Sequence, residues 1–383
     1  MTNKLRLSAD AIEQAIRFRH ILHAQPELSG QEGNTHNWLV KQLKEVAPDA
    51  RLIDKLGEFK TGLAAIFSGK EDGKTVLLRA DTDALPIQEA TDLPFSSRHT
   101  GKMHACGHDG HTSLLLGLAS IIQQQGLAKG SLVLLFQPSE ENGKGANSLL
   151  QDERFTALKP DLILGCHNLP GLELGKVVSK PATICYASTG LKISLEGNSS
   201  HAAEPEKASS AAKALPQALV AIHKIKREKS KIAITHASLG EPSFGITAGS
   251  AKILLTIRAP QQDTLDGLCA SIRTKIEDLA SENKLKFSSE LVEPFIETYN
   301  NPELLKEGIK AFEQAGISYQ ELEQPFYWSE DFGKYKELAP ICFFGLGAGE
   351  TTKPLHHPAY NFPDALIEKG LAMWLALVNH FLN

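Results

Sequence analysis

The chain is poor in cysteine and has no long apolar or strongly basic segment. Its five cysteines are scattered among 383 residues without paired spacing, which argues against a disulfide framework and for a reducing compartment. The first ten residues are polar and lack the apolar stretch of a secretory signal. No apolar run approaches the roughly 18 residues that a membrane span requires, and the net charge of −5 comes without a basic tract that would suggest a nucleic-acid groove. We therefore expect a cytoplasmic protein with no membrane and no nucleic acid as partner.

Apolar periodicity in the first third of the chain alternates between helical and strand-like segments. Length alone favours two domains, because 383 residues exceed one ordinary core. The patterns predict helices over 11–24, 34–46 and 109–125, and strands over 62–67, 75–79, 131–136 and 162–166. This alternation is typical of an α/β fold with a mostly parallel, twisted sheet and helices on both faces.

The middle of the chain follows a different order of elements. The patterns predict strands over 191–196, 232–238, 252–258 and 285–291, and helices over 208–226 and 264–280. Strand, helix, two strands, helix, strand is a compact α+β arrangement of the ferredoxin-like kind. We therefore expect an inserted domain over 182–294 and a discontinuous catalytic domain over 1–181 and 295–383. The final part of the catalytic domain contains a predicted helix over 302–315, a strand over 341–344 and a helix over 363–382.

The densest group of metal-binding residue types is His104-Ala-Cys-Gly-His-Asp-Gly-His111. Thiolate and imidazole are both good ligands for zinc and similar divalent ions. Cys106 and His108 are two residues apart, so on a tight loop both side chains can reach one centre. The following helix would favour a thiolate at its N-terminus. The alternative is a polar loop with incidental histidines, but the crowding of ligand types favours a metal site.

Glu140 and Glu141 follow the predicted apolar strand over 131–136. Residues that leave a buried parallel strand at its carboxyl end lie in a cleft at the sheet edge. One carboxylate of such a pair can bind metal while its neighbour takes and returns a proton. Alone, the pair is also compatible with an ordinary surface loop.

Two further strand ends carry polar side chains. His167 follows the predicted strand over 162–166, where a histidine is either structural or a ligand at the same edge. Asp81 and Asp83 follow the strand over 75–79 and point the same way on an extended segment. They could orient a metal-bound imidazole, or form an Asp-rich turn before a proline.

His356 and His357 follow the glycine-rich segment 345–349. Either histidine could close a metal site, and a solvated loop is the alternative. No motif beyond the first decides the matter alone. Several of them, however, fall at the ends of predicted strands, where an α/β sheet places its ligands.

Together these motifs resemble the metal-dependent amidohydrolase family of hippurate hydrolases, N-acyl-amino-acid amidohydrolases, N-acetyldiaminopimelate deacetylases and auxin-conjugate hydrolases. Members are relatives of carboxypeptidase G and the aminoacylases. The resemblance runs from Arg19-His-Ile-Leu-His-Ala-Gln-Pro-Glu-Leu28 to His356-His-Pro-Ala-Tyr-Asn-Phe362, and the Cys-Gly-His-Asp run is highly specific to it. It implies a zinc-exopeptidase-like catalytic domain, with the inserted α+β domain acting as a lid.

The resemblance also implies a site for two divalent metal ions, either zinc, manganese, cobalt or nickel. Cys106 matches the family's bridging thiolate. The remaining implied ligands are His108 and His167 for one ion, and Glu141 and His356 for the other.

Three further roles follow from the resemblance. Glu140 matches the general base. Asp81 and Asp83 match an acidic pair near the metals, of which either is the essential member. His201, within Gly197-Asn-Ser-Ser-His-Ala-Ala203, matches a lid histidine that holds the substrate carbonyl oxygen.

The lid departs from the family at one position. Relatives carry an asparagine that touches substrate where this chain has Gly245-Ile-Thr-Ala248. We expect hydrolysis of an amide bond in a small N-acyl amino acid, with a homodimer through the lid as a further expectation. Two alternatives remain open at this point: an aminopeptidase or dipeptidase of the same fold, and a catalytically weak homologue that only binds N-acyl amino acids.

Overall fold

The computed structural model describes residues 4–226 and 228–383. Residues 1–3, in the first predicted domain, and Arg227, in the second, lie outside the described residues. The α-helices are α1 (Ala9–His23), α2 (Gly33–Val46), α3 (His108–Gln125), α4 (Gly145–Leu150), α5 (Glu153–Thr156), α6 (Ala211–His223), α7 (Gln262–Glu282), α8 (Pro302–Ala315) and α9 (Ala365–Leu382). Short 3-10 helices cover Pro205–Lys207 and Asp331–Glu337.

The strands occupy most of the segments for which the sequence predicts them. They are β1 (Arg51–Leu56), β2 (Gly62–Ser68), β3 (Glu71–Asp81), β4 (Lys129–Gln137), β5 (Leu162–Leu169), β6 (Val177–Ser179), β7 (Ala182–Cys185), β8 (Ala187–Glu196), β9 (Lys231–Leu239), β10 (Ser250–Ala259), β11 (Lys286–Phe295), β12 (Thr298–Asn300), β13 (Tyr319–Glu321) and β14 (Ile341–Gly347). The chain divides into two compact units. The first comprises residues 1–184, 298–324 and 331–383, and the second comprises residues 185–297 and 325–330.

An eight-stranded sheet in the order β1-β2-β4-β3-β5-β14-β6-β13 forms the centre of the first unit. The four middle strands, β4, β3, β5 and β14, run parallel to one another, as the sequence predicts. Parallel strands carry their carboxyl ends at one edge, where an α/β sheet places its ligands. The outer pairs β1–β2, β2–β4 and β14–β6 are antiparallel, and β13 adds to β6 in parallel.

Helices cover both faces of this sheet. Leu132, Leu134 and Phe136 alternate along β4 and belong to one core cluster that also includes residues of α1, α2, α3, α8 and α9. On the other face, Phe332 of the 3-10 helix packs against Phe343 of β14, with ring centroids 5.1 Å apart. The fold class is therefore α/β, as predicted from the alternation of elements.

Helix α9 is the one helix in the described part of the chain that is long and apolar enough to cross a membrane. The helix contains Glu368 and Lys369, so it holds no uninterrupted apolar run of the length that the sequence analysis excluded. Most of the helix is buried inside the first unit, and Leu371, Trp374 and Leu377 belong to its core. The core helix of a compact domain satisfies the same length and composition test.

The second unit is an antiparallel sheet in the order β11-β8-β10-β9, with helices α6 and α7 contributing to its core. Residues on alternating positions of β8 and β10, such as Ile193 and Ile253, are fully buried against these helices. Helix α6 begins later than predicted, because the Ser210 side chain accepts a hydrogen bond from the Ala212 N–H and caps the helix there. The unit also includes Pro325–Glu330, a segment that the sequence analysis placed in the catalytic domain.

Candidate metal centre and active site

The candidate site lies at the carboxyl edge of the parallel strands. Asp81 is the last residue of β3, and Glu140 lies three residues beyond the end of β4. The apolar pattern predicts that His167 follows its strand, but the structure places it inside β5. The strand is longer than expected because its pairing with β14 continues to Leu169 opposite Gly347.

The Cys106-Gly107-His108 run makes a tight turn into α3. Gly107 has a left-handed backbone with φ of 95°, and a Cβ there would lie 2.4 Å from the Asn168 side-chain oxygen. Only glycine fits this turn without displacing its neighbours. The turn places Cys106 Sγ 3.3 Å from His167 Nε2, and it starts the helix at His108.

Two groups of donor atoms share the Cys106 sulfur. Cys106, His108 and His167 form one group, and every pair of donor atoms in it lies within 4.8 Å. Cys106, Glu141 and His356 form the other group, under the same limit. The five residues named as ligands in the sequence analysis are thus brought together by the fold.

His356 is the exposed member of this set. Its side chain is 52% accessible, whereas that of Glu141 is 12% accessible and that of His108 is fully buried. A left-handed backbone with φ of 62° and a hydrogen bond from its N–H to the Ala105 carbonyl fix its position. His356 Nε2 lies 3.7 Å from Glu141 Oε1. His357 instead accepts a local hydrogen bond from the Ala359 N–H, so the structure directs His356 to the donor group.

Buried atoms without a hydrogen-bond partner show that the donor set fits a cation. His108 Nε2 and Glu141 Oε1 are both buried and lack such a partner. Leaving buried polar atoms unpaired costs free energy, so native structures rarely do it without a ligand or ion. His108 Nδ1 lies 2.9 Å from the Asp83 carbonyl oxygen, an arrangement that directs Nε2 toward a metal.

Negative charge dominates the electrostatics around His108. Burial disfavours the imidazolium, but Asp81, Asp83 and Glu141 outweigh it and raise the pKa of His108 to about 10. Burial raises the pKa of Glu141 to about 7, against the opposing effect of the His108 charge. Several carboxylates converging on a buried imidazole attract a positive ion, and a bound divalent cation would become the largest local charge.

Asp81 and Asp83 both face His108 but hold different partners. Asp81 accepts hydrogen bonds from His111 Nδ1 at 2.6 Å and from Arg79. Burial opposes its ionisation, yet His108, Arg79 and His111 hold the pKa of Asp81 well below its usual range. Asp83 instead accepts from the Ser29 hydroxyl at 2.7 Å and from the Glu141 backbone N–H at 3.0 Å.

His111 belongs to the 104–111 run of metal-binding residue types, but the sequence gives it no specific role, and it gives Asn168 none. His111 lies three residues after His108 on α3, so both imidazoles share one helix face. Its Nε2 lies 2.6 Å from Asn168 Oδ1, and Asn168 in turn donates to the Tyr360 hydroxyl at 2.6 Å. The spacing of three residues from His108 indicates that His111 lies near the site. No sequence pattern indicates that Asn168 is its partner, because the two are far apart in the chain.

A buried network of polar side chains holds Asp81 through Arg79. Arg79 donates to Gln137 Oε1 at 2.8 Å and to Asp331 Oδ1 at 2.8 Å, in addition to Asp81. Asp331 also accepts from Gln137 Nε2 and from the Ala146 N–H. Arg79 and Asp331 are each almost fully buried. The network is therefore shielded from solvent, and it holds the Asp81 carboxylate in place through Arg79.

Glu140 and His201 lie in different units. Glu140 is 4% exposed, and its side chain lies within 4.8 Å of the donor atoms of His108 and Glu141. His201 belongs to the second unit, where its exposed side chain accepts a hydrogen bond from the Ala203 N–H. Gly245 is its neighbour there, since the Gly245 carbonyl accepts from the Ala202 N–H. The role of His201 stays a prediction.

Comparisons with known proteins place the chain in a family. The peptidase family M20/M25/M40 matches residues 77–380. An N-acetyldiaminopimelate deacetylase of Lactobacillus helveticus is 32% identical over 94% of this chain and 95% of its own. An N-acetyl-L-cysteine deacetylase of Bacillus subtilis is 31% identical over 94% of this chain and 86% of its own.

A solved structure shows the same relationship in three dimensions. A dinuclear metal-binding peptidase from the M20 family of Bacillus subtilis superimposes with a TM-score of 0.83 and 28% identity, covering 97% of this chain and 98% of that one. Fold, donor groups and relatives together define a metal-dependent hydrolase that acts on amide bonds. The chain belongs to peptidase family M20/M25/M40.

Proposed function

We propose that this protein hydrolyses the amide bond of small N-acyl amino acids, releasing a carboxylic acid and an amino acid. The observation that carries the proposal is the pair of donor groups sharing Cys106, with the buried carboxyl of Glu140 beside His108 and Glu141. Two similar proteins are named as deacetylases of N-acetylated amino acids, so acetyl is the first acyl group to test.

Two divalent ions would be held by the five donor residues. Cys106 would be shared, His108 and His167 would complete one ion, and Glu141 and His356 the other. Thiolate, imidazole and carboxylate together suit zinc, manganese, cobalt or nickel. When bound, such ions supply Lewis acidity, which acidifies water and polarises a carbonyl group.

Glu140 carries the proton in the proposed reaction. Its carboxylate takes a proton from the attacking water and then gives it to the leaving amide nitrogen. Asp81 and Asp83 hold His111 and His108 by hydrogen bonds or short contacts, and so orient the imidazoles without touching substrate. Asp83 is the stronger candidate for the essential acid, because it also holds the Glu141 backbone.

His201 and the second unit complete the proposal. We assign His201 to the substrate carbonyl oxygen, where a donor stabilises the charge that develops during attack. The second unit would then act as a lid over the catalytic unit. Its strand β9 is an edge of the sheet with Ile234 and Leu239 exposed, which supports a homodimer through this unit. We place the protein in the cytoplasm.

A turnover screen tests the proposal. Metal-free protein is reloaded separately with zinc, manganese, cobalt or nickel, and offered N-acetyl, N-benzoyl and indole-acyl amino acids beside free-amine dipeptides. We expect metal-dependent release of an amino acid from at least one acylated substrate. Faster cleavage of the dipeptides would favour an aminopeptidase or dipeptidase instead. Tight binding of acylated amino acids without turnover under any metal would favour a binding homologue.

A further inference from the structure

Glu32 is a buried carboxylate at the start of α2 whose side chain binds a distant backbone N–H instead of capping its own helix. It occupies the N-cap position of α2, where short polar side chains normally bond to the first helical N–H groups. The Glu32 side chain makes no such capping bond. It is 1% exposed, and its Oε1 atom instead accepts from the Ser139 N–H at 2.8 Å and the Gly30 N–H at 2.9 Å.

The partner of Glu32 is the residue immediately before Glu140. Ser139 has a left-handed backbone with φ of 57°, a conformation that is unfavourable for a non-glycine residue and persists only where its surroundings hold it. The Ser139 hydroxyl also lies 3.3 Å from Glu32 Oε1. The Glu32 Oε1 atom therefore accepts from both the backbone N–H and the hydroxyl of Ser139, at the start of the turn that carries Glu140.

A second carboxylate holds the residue immediately after Glu140. The Glu141 N–H donates to Asp83 Oδ2 at 3.0 Å, and the Ser29 hydroxyl donates to the same oxygen at 2.7 Å. Ser29 and Glu32 belong to one connection, between α1 and α2. This short connection thus supports the backbone on both sides of Glu140, directly through Glu32 and through Asp83.

We propose that Glu32 is a positioning residue for Glu140, holding the Ser139 N–H so that the turn presents the Glu140 carboxyl in one orientation. This inference rests on the proposed role of Glu140 as the general base. A carboxyl that must take and return a proton within hydrogen-bond reach loses rate when it is displaced, even if substrate still binds. Loss of the Glu32 acceptor therefore lowers kcat and leaves KM nearly unchanged.

A pair of variants of similar size isolates the hydrogen bond from the packing. Glu32→Gln keeps an acceptor oxygen, and Glu32→Met fills the space without one. Because burial, with Asp83 nearby, raises the pKa of Glu32 to about 7, a neutral amide is a fair replacement at that pH. Glu27→Met is the matched control, since Glu27 lies on the same connection and its carboxylate accepts from Asn34 and Thr35 of α2 rather than from the Glu140 turn.

Hydrogen exchange on the full-length protein, metal-loaded and metal-free, is the first measurement. In Glu32→Met we expect the amides of 139–141 to exchange at least tenfold faster, while Glu32→Gln and Glu27→Met match the unmodified chain there. Unchanged exchange in Glu32→Met would overturn the proposal, with no turnover assay needed. If Glu32→Met does not fold, Glu32→Asp, which keeps the charge but has a shorter reach, provides the same comparison.

Kinetics with N-acetyl-L-cysteine form the second measurement. We expect Glu32→Met to lower kcat at least tenfold with KM within threefold, and Glu32→Gln to restore most of the rate. A merely structural role predicts a lower melting temperature with normal kcat per folded, metal-loaded molecule. Glu140→Gln is measured in parallel, because normal turnover in that variant would refute the general base itself. An inactive Glu140→Gln with a fully active Glu32→Met would refute only the positioning role.

Discussion

The Nδ1 atom of His108 lies 2.9 Å from the backbone carbonyl oxygen of Asp83. This contact fixes the imidazole so that the buried Nε2 atom has no hydrogen-bond partner and faces the other donor atoms. The Asp83 carboxylate meanwhile accepts from the Glu141 backbone N–H. Asp83 therefore holds one proposed ligand of each donor group in place, His108 in the first and Glu141 in the second. Such supporting contacts orient metal ligands and so affect how well the metal binds.

Replacing Cys106 tests whether the two donor groups share a ligand. Because its sulfur belongs to both groups, Cys106→Ala should reduce the metal content well below that of the unmodified protein for both ions. Elemental analysis after dialysis measures this. Cys342→Ala is the control, since Cys342 is a buried core thiol outside both donor groups, and it should keep full metal content. Equal occupancy in the two variants would remove Cys106 from the ligand set.

The role of His201 makes a kinetic prediction. An oxyanion donor contributes in the transition state, so His201→Ala should lower kcat by roughly 10²–10³-fold while metal content stays constant. The side chain is exposed in the second unit, so its loss should not change the melting temperature. His223→Ala, at an exposed histidine at the end of α6 in that unit, should keep full activity. Normal kinetics in His201→Ala would exclude the assigned role.

His23 makes a prediction about stability and pH. It lies between Asp109 Oδ2, at 2.8 Å, and Glu89 Oε1, at 3.2 Å. Burial disfavours its charge, but Asp109 and Glu89 outweigh burial and raise the pKa of His23 to about 9, from an ordinary 6.5. A raised folded-state pKa gives stability that is complete below about 6.5 and is lost as the pH rises through about 9.

Denaturant unfolding of the unmodified chain and of His23→Gln, between pH 6 and 10, tests this. The difference in the free energy of unfolding should shrink with rising pH by on the order of 3 kcal/mol. A difference that stays constant across this range would show that His23 is not charged in the folded protein.

Replacing Gly245 tests whether this position contributes to substrate specificity. A Cβ at this position meets no heavy atom within 4 Å, so Gly245→Asn should fold with a change in stability of about 0.5 kcal/mol or less. If the new amide donates one hydrogen bond to substrate, kcat/KM for N-acyl amino acids should rise about two- to tenfold. Gly245→Ala serves as the control. The same kcat/KM in both variants would show that this position does not contact substrate.

Local signals account for the elements that the sequence predicts well. Helix α8 has the predicted bounds because the Asn301 side chain caps its start, Pro302 opens it, and Gly316 ends it in a left-handed conformation. Strand β1 was missed because Arg51–Leu56 shows no regular alternation of buried and exposed residues. The three-residue strands β6 and β13 are too short to carry any periodic pattern.

In the candidate site, too, local patterns can be predicted from the sequence, whereas contacts between distant residues cannot. The spacing of Cys106 and His108 is local, so it can be read directly from the sequence. The contacts of Glu32 with Ser139 and of His111 with Asn168 join residues 107 and 57 positions apart. Such pairs depend on the order of strands in the sheet, which periodicity along the chain does not determine.

The most direct test of the whole account is the turnover of Glu140→Gln, measured together with its metal content. Because Glu140 is assigned to proton transfer and not to metal binding, we predict a loss of roughly 10²–10⁴-fold in kcat with the metal content unchanged. Glu141→Gln, by contrast, should lose metal. Near-normal turnover in a fully loaded Glu140→Gln would contradict the assignment of the general base.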